Sequence, residues 1–375
     1  MERRHRSADT PNTELFVELA ILSFSFVAAM ALAVLMGYAI QRGATCTVAA
    51  LDQLVNERRA QRLLSIAEAA VWVSAGLFLA RLLGFSMHLP SGYPAGATTV
   101  AGGALLGIGA FVNRACVFGA IARLGSGDLS YLATPVGFLF GCIFFTTLFG
   151  NLSTKSVAYT EFPQQTVAAI TAVLSILLSV RIVALIHERV SRRGVAGLAE
   201  ALRGLSREVW QPSAATCVIG ISFVGMLLLV GAWAYTDVLV DLAHGMSANL
   251  LSRGALLIAL FGGALLGGYC SVGFRGATIS LRDVLRCLTG GALMGVGSSL
   301  IPGGNDGLLL VGMPLFWPYA WLALLAMSAT ITLCLVAQRQ GLISRMSSPA
   351  KSAATALGGI RELQAAAAPR KNTTD

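Results

Sequence analysis

Gly102-Gly103-Ala104-Leu105-Leu106-Gly107-Ile108-Gly109 decides the fold of this chain, because it recurs as Gly290-Gly291-Ala292-Leu293-Met294-Gly295-Val296-Gly297. Six of the eight positions are identical, and the other two exchange one aliphatic or thioether side chain for another. A third copy begins at Gly262, and a fourth, more degenerate copy ends at Gly37. Internal repeats determine architecture, so the chain is predicted to contain related structural units.

Each copy runs directly into an irregular polar stretch at a similar offset. The position nine residues after an aligned glycine is Cys46, Cys116, Gly276 or Gly304. Close packing of small residues explains the glycines inside the apolar parts, but it does not explain four helix breaks at one offset. Paired broken helices in corresponding places of two halves instead indicate a transport site near the middle of a membrane.

The composition excludes most soluble proteins. The chain of 375 residues is 55% hydrophobic and only 12% charged, against about 25% charged in an ordinary soluble domain. Residues 19–40, 167–186 and 216–235 form apolar runs of about 20 residues, the length that a helix needs to cross a bilayer. The sequence therefore predicts an all-α polytopic membrane protein with internal repeats and short broken or re-entrant helices.

The apolar segments and the repeats together predict one membrane transport domain, residues 15–336, between tails at 1–14 and 337–375. The repeat halves cover about 15–150 and 213–336, joined by a linking span at 165–187. Within the halves we expect spans at 15–40, 64–85, 98–122, 130–150, 213–235, 254–275 and 307–336, with short pieces at 41–55 and 288–301.

The distribution of basic residues predicts the orientation. There are 27 basic and 18 acidic residues, and the arginines cluster in both tails and in the loop 187–210, which places these segments in the cytoplasm. Because Arg58, Arg59 and Arg62 should also be cytoplasmic, residues 41–55 are predicted to turn back across part or all of the membrane. The membrane explains the basic excess, so a nucleic-acid partner is not expected.

Three of the seven cysteines are candidates for a substrate pathway. Cys46, Cys116 and Cys270 sit at helix breaks among glycine, threonine, serine and arginine, whereas Cys142, Cys217, Cys287 and Cys334 lie in apolar runs or at a helix edge and are interpreted as structural. Thiols suit a polarizable sulfur atom better than a hard oxyanion. The spacing indicates neither a metal site nor a cofactor, and no disulfide framework.

Arginines beside these cysteines have two open interpretations. Arg42 and Arg114 precede Cys46 and Cys116 closely, and they either supply positive potential to an anion or extend to the membrane surface. The break residues Gly43, Thr45, Asn113 and, in the later copy, Gly304 and Asn305 complete the predicted pathway. Asp306 belongs to a turn-forming stretch and either only shapes that turn or binds a proton or cation.

The glycine-rich broken helices ending in cysteine, together with the stretch 297–307, resemble the YeeE/YedE family of bacterial inner-membrane sulfur-transport proteins over residues 15–336. The resemblance implies an hourglass-like core of short helices and uptake of thiosulfate or a related compound, passed along cysteines by transient S–H···S contacts. It also implies a cytoplasmic sulfur carrier of the TusA type, or a rhodanese, as a partner. Cys46 and Cys116 match the first two pore cysteines of the family. Typical members have Gly-Gly-Cys in the later copies, where this chain has Arg275-Gly276 and Gly303-Gly304-Asn305, and Cys270 comes six residues early.

Three functions remain open from the sequence. The first is a transporter of a small sulfur anion without a nucleotide-binding motif, and hence not an enzyme. The second is a sulfur-relay or sulfurtransferase subunit that forms a persulfide on a pore cysteine. The third is a structural membrane protein in which the broken helices only pack.

Overall fold

The computed structural model describes residues 10–85, 92–150, 164–193, 210–245, 250–271, 279–301 and 303–341. These parts of the chain are helical. The helices are α1 (Thr10–Gly43), α2 (Thr47–Glu57), α3 (Gln61–Leu82), α4 (Ala97–Asn113), α5 (Val117–Gly125), α6 (Ala133–Phe149), α7 (Gln164–Arg193), α8 (Pro212–Val230), α9 (Tyr235–Ala243), α10 (Leu250–Cys270), α11 (Leu281–Leu300), α12 (Asn305–Gly312) and α13 (Pro318–Arg339). A short 3₁₀ turn, Leu129–Leu132, leads into α6.

The helices are long and apolar enough to form a membrane bundle. Among the described residues, eight spans satisfy the length and hydropathy of a membrane crossing, and a ninth is formed if the bent pair α11–α12 counts as one span. Large apolar side chains such as Phe140, Ile176 and Leu251 are exposed, as expected for surfaces that contact lipid. The prediction of an all-α polytopic membrane protein is confirmed.

Glycines, some of them in the repeated motif, hold the helices together by close backbone approach. Gly137 and Gly141 of α6 lie so close to α11 that a Cβ would come within 2.1 Å of the carbonyl oxygens of Leu288 and Ala292. The α1–α10 pair has the same character, because a Cβ on Gly263 would lie 2.0 Å from the carbonyl oxygen of Val34. Small residues are needed there because bulkier ones would separate the helices.

The segment 41–55 does not form the separate returning piece that we expected. Residues Ser23–Glu57 count as one span of 35 residues that contains the break between α1 and α2. In the same way α4 and α5 form one span, Ala97–Gly125. The breaks are local because each is closed by helix-terminating hydrogen bonds, described below, which interrupt the helix without a full reversal.

Other boundaries also differ from the sequence prediction. The short piece expected at 288–301 is the 20-residue helix α11, which begins at Leu281. The last predicted span, 307–336, is divided into α12 and α13, and α12 makes an angle of 58° with α11. The chain turns between α12 and α13 at Phe316, which has a left-handed φ of 58°. The third copy of the motif lies within the continuous helix α10.

Residues Met1–Leu333 form one compact unit and Cys334–Asp375 a second. Of the second unit, the structure describes the end of α13 and the turn that follows, up to Gly341. Residues 1–9 and 342–375, most of the two predicted tails, lie outside the described residues, as do most of the loops on which the predicted orientation depends.

Candidate functional site

Four short helices, α2, α5, α9 and α12, each begin directly after a break in the chain. Their N-cap residues are Cys46, Cys116, Ala234 and Gly304, all with extended backbone conformations. α2 contacts α5, α9 contacts α12, and α12 also contacts α5. The described part of the chain therefore brings the short helices together as two pairs that meet each other.

The first pair brings the two predicted cysteines into contact. The Sγ atoms of Cys46 and Cys116 are 3.9 Å apart, and the backbone N–H of Thr47 donates a hydrogen bond of 3.2 Å to Cys116 Sγ. Cys116 is completely buried and Cys46 is 8% exposed. Cys46 Sγ packs against Gly119, where an added Cβ would lie 2.4 Å from the sulfur. The two thiols thus lie side by side at two helix starts.

Both breaks before these cysteines are the same turn. Ala44 and Arg114, each two residues before a cysteine, adopt left-handed φ values of 47° and 60°. The N–H of Thr45 donates to the Ile40 carbonyl, and the N–H of Ala115 donates to the Ala110 carbonyl. This pattern is the Schellman motif, which ends a helix by satisfying its last carbonyls. The equal offsets in the sequence therefore reflect equal backbone geometry in the first two copies.

Asn113 braces the second of these breaks. Its Nδ2 donates to the Ala115 carbonyl at 2.8 Å, its Oδ1 accepts from the Thr134 hydroxyl at 3.0 Å, and its carbonyl accepts from the Tyr131 hydroxyl at 3.2 Å. The side chain is fully buried. Asn113 therefore holds Cys116 in position through contacts with the protein framework.

The second pair carries a carboxylate where the first pair carries a thiol. Asp306 Oδ2 accepts a hydrogen bond of 3.2 Å from the backbone N–H of Thr236, and Asp306 Oδ1 accepts from the Thr236 hydroxyl. Asp306 is 2% exposed and Thr236 is fully buried. Gly304 is required beside them, because a Cβ there would lie 2.3 Å from Thr236 Oγ1. Asp306 thus caps the start of α9 from the start of α12.

Arg42 and Cys270 are neighbours at the end of α10, not at the contact between Cys46 and Cys116. Arg42 is 3% exposed, its Nη1 lies 3.5 Å from the Gly267 carbonyl at the end of α10, and its guanidinium lies over the Tyr38 ring. Cys270 is exposed and is an electrostatic neighbour of Arg42. Gly268 of α10 packs on the carbonyl of Gly125, the last residue of α5. Gly125 is nine residues after Cys116, which corresponds to roughly 13 Å along the helix at about 1.5 Å per residue.

The remaining predicted residues have mixed positions. Thr45 is buried in the first break, and Gly43 allows close approach of Ala215 on α8. Arg114 is half-buried among Arg286, Asp283 and Arg123. Asn305 is 1% exposed at the start of α12. Gly276 lies outside the described residues.

The third helix start, Ala234 with Tyr235 and Thr236, was missed by the sequence reasoning. The sequence pattern aligns the third copy on Gly267, whereas the third short helix is α9, which follows α8. A signal was present, because Gly225 precedes Ala234 by nine residues, the same spacing as in the other copies. It is hidden because the residues around Gly225 do not repeat the Gly-Gly-Ala-Leu pattern.

The electrostatics of the four helix starts suit an anion. The N-terminus of a helix carries partial positive charge and free N–H groups, and several such ends meeting inside a membrane are typical of sites for anionic substrates. The described residues contain no group of three or more His, Cys, Asp or Glu that could hold a metal ion.

Comparisons with known proteins agree with this architecture. A search of curated proteins finds no match. The model of a family described as sulphur transport matches residues 42–333, which contain all four short helices. The chain therefore belongs to the YeeE/YedE sulfur transport family.

Proposed function

We propose that the protein takes up a small sulfur-containing anion, such as thiosulfate, through a passage formed where the four short helices meet. The observation that carries the proposal is the pair of thiols, Cys46 and Cys116, in contact at two helix starts. The helix starts attract the negative charge, and the thiols make weak S–H···S contacts with the outer sulfur atom. Thr45, Asn113, Gly43, Gly304 and Asn305 shape the passage around them.

The structure modifies the predicted roles of the other candidate residues. We propose that Arg42 and Arg114 fix the ends of α1 and α4, since Arg42 contacts a backbone carbonyl of α10 and Arg114 is the left-handed residue of its turn. Cys270 lies outside the pathway in this proposal because it is exposed at the far end of α5.

Uptake by reconstituted protein tests this function. We expect saturable uptake of labelled thiosulfate into proteoliposomes, inhibited weakly by sulfate, and we expect Cys46→Ala and Cys116→Ala to abolish it. Cys217→Ala is the matched control, because Cys217 lies in α8 with Glu68 of α3 and Arg181 of α7 as its electrostatic neighbours, and it should transport at the wild-type rate. Uptake that is equal for thiosulfate, sulfite and sulfate and independent of both cysteines would contradict the proposal.

The same preparation distinguishes transport from a sulfur relay. In a relay, a Cys46 thiolate would attack the outer sulfur of thiosulfate, a cysteine S–S bond would form, and the sulfur–sulfur bond of thiosulfate would break with sulfite leaving. Intact-mass measurement after exposure to thiosulfate should show no added sulfur atom if the protein only transports. A stable adduct of one sulfur on Cys46 or Cys116, with release of sulfite, would support the relay instead.

We further propose that α2 and α5 lie on the cytoplasmic side of a bacterial inner membrane and that α9 and α12 lie on its outer side. Arg58 and Arg59 follow α2 and Arg123 lies in α5, whereas no charged residue lies in 313–317 after α12, as the positive-inside rule requires. This arrangement uses the nine spans of the described residues, with α11 and α12 counted as one, so we propose that the termini lie on opposite faces with the N-terminus outside. The sequence alone had suggested that both termini are cytoplasmic, which requires an even number.

Antibody access to terminal epitopes decides between these orientations. In spheroplasts with an intact inner membrane, an N-terminal epitope should be accessible and a C-terminal one should not. If the N-terminal epitope is reached only after permeabilisation, both ends are cytoplasmic. In either orientation Arg58 and Arg59 are cytoplasmic, and we propose that a carrier of the TusA type or a rhodanese binds at the face that carries them.

A further inference from the structure

Asp306 is a buried carboxylate at the start of α12, and it hydrogen-bonds to the start of α9. Its two oxygens accept hydrogen bonds from the backbone N–H and the hydroxyl of Thr236. In the first pair of helices a backbone donor at a helix start, the N–H of Thr47, meets the sulfur of Cys116. In the second pair, therefore, a carboxylate of the protein itself accepts the hydrogen bond from a backbone N–H at the start of α9.

Among the described residues, the electrostatic neighbours of Asp306 that can be named are not cations. From α9, Asp237 and Tyr235 are its electrostatic neighbours. Tyr235 is an electrostatic neighbour of both Asp306 and Cys116, the residue before α5. The charged residue of α5 is Arg123, which lies two helical turns after Cys116 and over the Tyr131 ring.

Two basic residues of the next elements, Arg253 and Arg181, are paired with other carboxylates. On α9 the next acidic residue, Asp241, already pairs with Arg253 of α10. Ser74 and Phe78 of α3 contact Pro314 and Phe316 in the turn that follows α12. The nearest charged residues of α3 on either side of this contact are Glu68, which pairs with Arg181 of α7, and Arg81.

A second observation indicates that a proton or a hydrogen-bond donor binds here. Asn305, the residue before Asp306, is 1% exposed, and its Oδ1 has no hydrogen-bond partner within the described part of the chain. A buried acceptor without a donor is costly unless something bound there satisfies it. The start of α12 thus holds both a carboxylate and an unsatisfied acceptor oxygen.

We propose that Asp306 binds a proton that accompanies the sulfur anion into the cell. This inference rests on the proposed function. An ionised Asp306 would repel the substrate anion, because the two carry like charge. Its carboxylate would also keep the Thr236 N–H occupied, because the carboxylate and the substrate compete for the same hydrogen-bond donors. Protonation removes the charge of Asp306, frees the Thr236 N–H for the anion, and provides an O–H that can donate to Asn305 Oδ1. The proton is taken up outside and released inside, so one proton enters with each anion.

Proteoliposomes containing the full-length protein test the coupling directly. With the membrane potential held at zero by potassium and valinomycin, an outside medium about one pH unit more acidic than the lumen should raise thiosulfate accumulation by up to about tenfold per proton carried. A pH-sensitive dye in the lumen should report acidification when thiosulfate is added. Thiosulfate entry without acidification and without a response to the pH gradient would overturn the inference.

The variant Asp306→Asn isolates the carboxylate. Its amide is neutral, like protonated Asp306, and does not repel the anion, so exchange of labelled for unlabelled thiosulfate should remain measurable at a reduced rate, whereas the response of accumulation to the pH gradient should be lost. Asp283→Asn is the matched control, because Asp283 lies in a partly exposed pair with Arg286, and it should keep the gradient response.

The remaining outcomes separate the two proposals. Asp306→Asn protein that keeps a wild-type response to the gradient overturns the inference even while transport continues. If Asp306→Asn does not fold, the wild-type dye measurement decides by itself. Wild-type protein that carries no thiosulfate at all overturns the proposed function, and this inference with it.

Discussion

The sulfur atoms of Cys46 and Cys116 lie 3.9 Å apart, although the two residues are 70 positions apart in the sequence. Each cysteine is the N-cap of a short helix and follows a Schellman turn. The pair is therefore positioned by the backbone of two equal breaks, and anything that shifts one short helix against the other should change the distance between the thiols.

Gly119→Ala should disturb the thiol pair with little effect on the rest of the protein. The new Cβ would lie 2.4 Å from Cys46 Sγ, so the thiol or helix α5 must move, with strain of about 1–3 kcal/mol. We expect thiosulfate uptake to fall by about tenfold or more, since a 1.4 kcal/mol change corresponds to a factor of ten. Uptake rates per correctly folded protein measure the effect.

Gly262→Ala is the control for this substitution. Gly262 lies in α10, and a Cβ there meets no atom within 4 Å, so uptake should be unchanged. Thermal stability should stay equal or rise slightly, because alanine is favoured over glycine by about 0.5–1 kcal/mol inside a helix. Equal uptake by the Gly119 and Gly262 variants would show that Cys46 does not need its present position.

Cys116→Ala and Cys116→Ser should differ in stability. Alanine leaves the buried N–H of Thr47 without its acceptor, which costs about 1–3 kcal/mol, whereas the serine oxygen can replace the sulfur as acceptor. We expect a lower melting temperature for the alanine variant in a detergent unfolding assay. Neither variant should transport if the polarizable sulfur is what the substrate recognises, and a serine variant with normal uptake would argue against that role.

The membrane class and the first pair of breaks could be predicted because they depend on local sequence. Apolar runs define the spans, and the offset from Gly37 to Cys46 and from Gly107 to Cys116 marks a turn whose hydrogen bonds are all local. The contact between the two cysteines did not follow from spacing, because it depends on how two distant helices pack.

The second pair of short helices was harder to find because close packing imposes the same glycines as helix breaks do. Gly263 in α10 fits the motif pattern and lies against Val34 of α1, and α10 continues through this copy to Cys270. The true break after α8 has a less regular composition. The contact of Asp306 with Thr236 spans 70 residues and has no local signal beyond a turn-forming sequence.

Substitution of Arg42 should change stability more than substrate affinity. Its guanidinium is buried against Tyr38 and the Gly267 carbonyl rather than beside Cys46. Arg42→Gln should therefore lower the melting temperature, because a charge-assisted hydrogen bond is worth about 1.5–3 kcal/mol, while the KM for thiosulfate stays within about twofold of the wild type. A large rise in KM at unchanged stability would instead place Arg42 in the anion pathway.

Gly304→Ala should uncouple the second pair of short helices. The added Cβ would lie 2.3 Å from Thr236 Oγ1 and 2.8 Å from Asp306 Oδ1, so the start of α12 must move away from the start of α9, and the hydrogen bonds of Asp306 must break or lengthen. Because the backbone φ of Gly304 is −80°, alanine meets no conformational strain of its own, and the effect reports only on this contact. We expect uptake to be lost and the melting temperature to fall by an amount that corresponds to about 1–3 kcal/mol.

Gly254→Ala in α10 is the control for this substitution, because a Cβ there meets no atom within 4 Å. If Gly304→Ala takes up thiosulfate as fast as Gly254→Ala does, transport does not depend on the contact between α9 and α12.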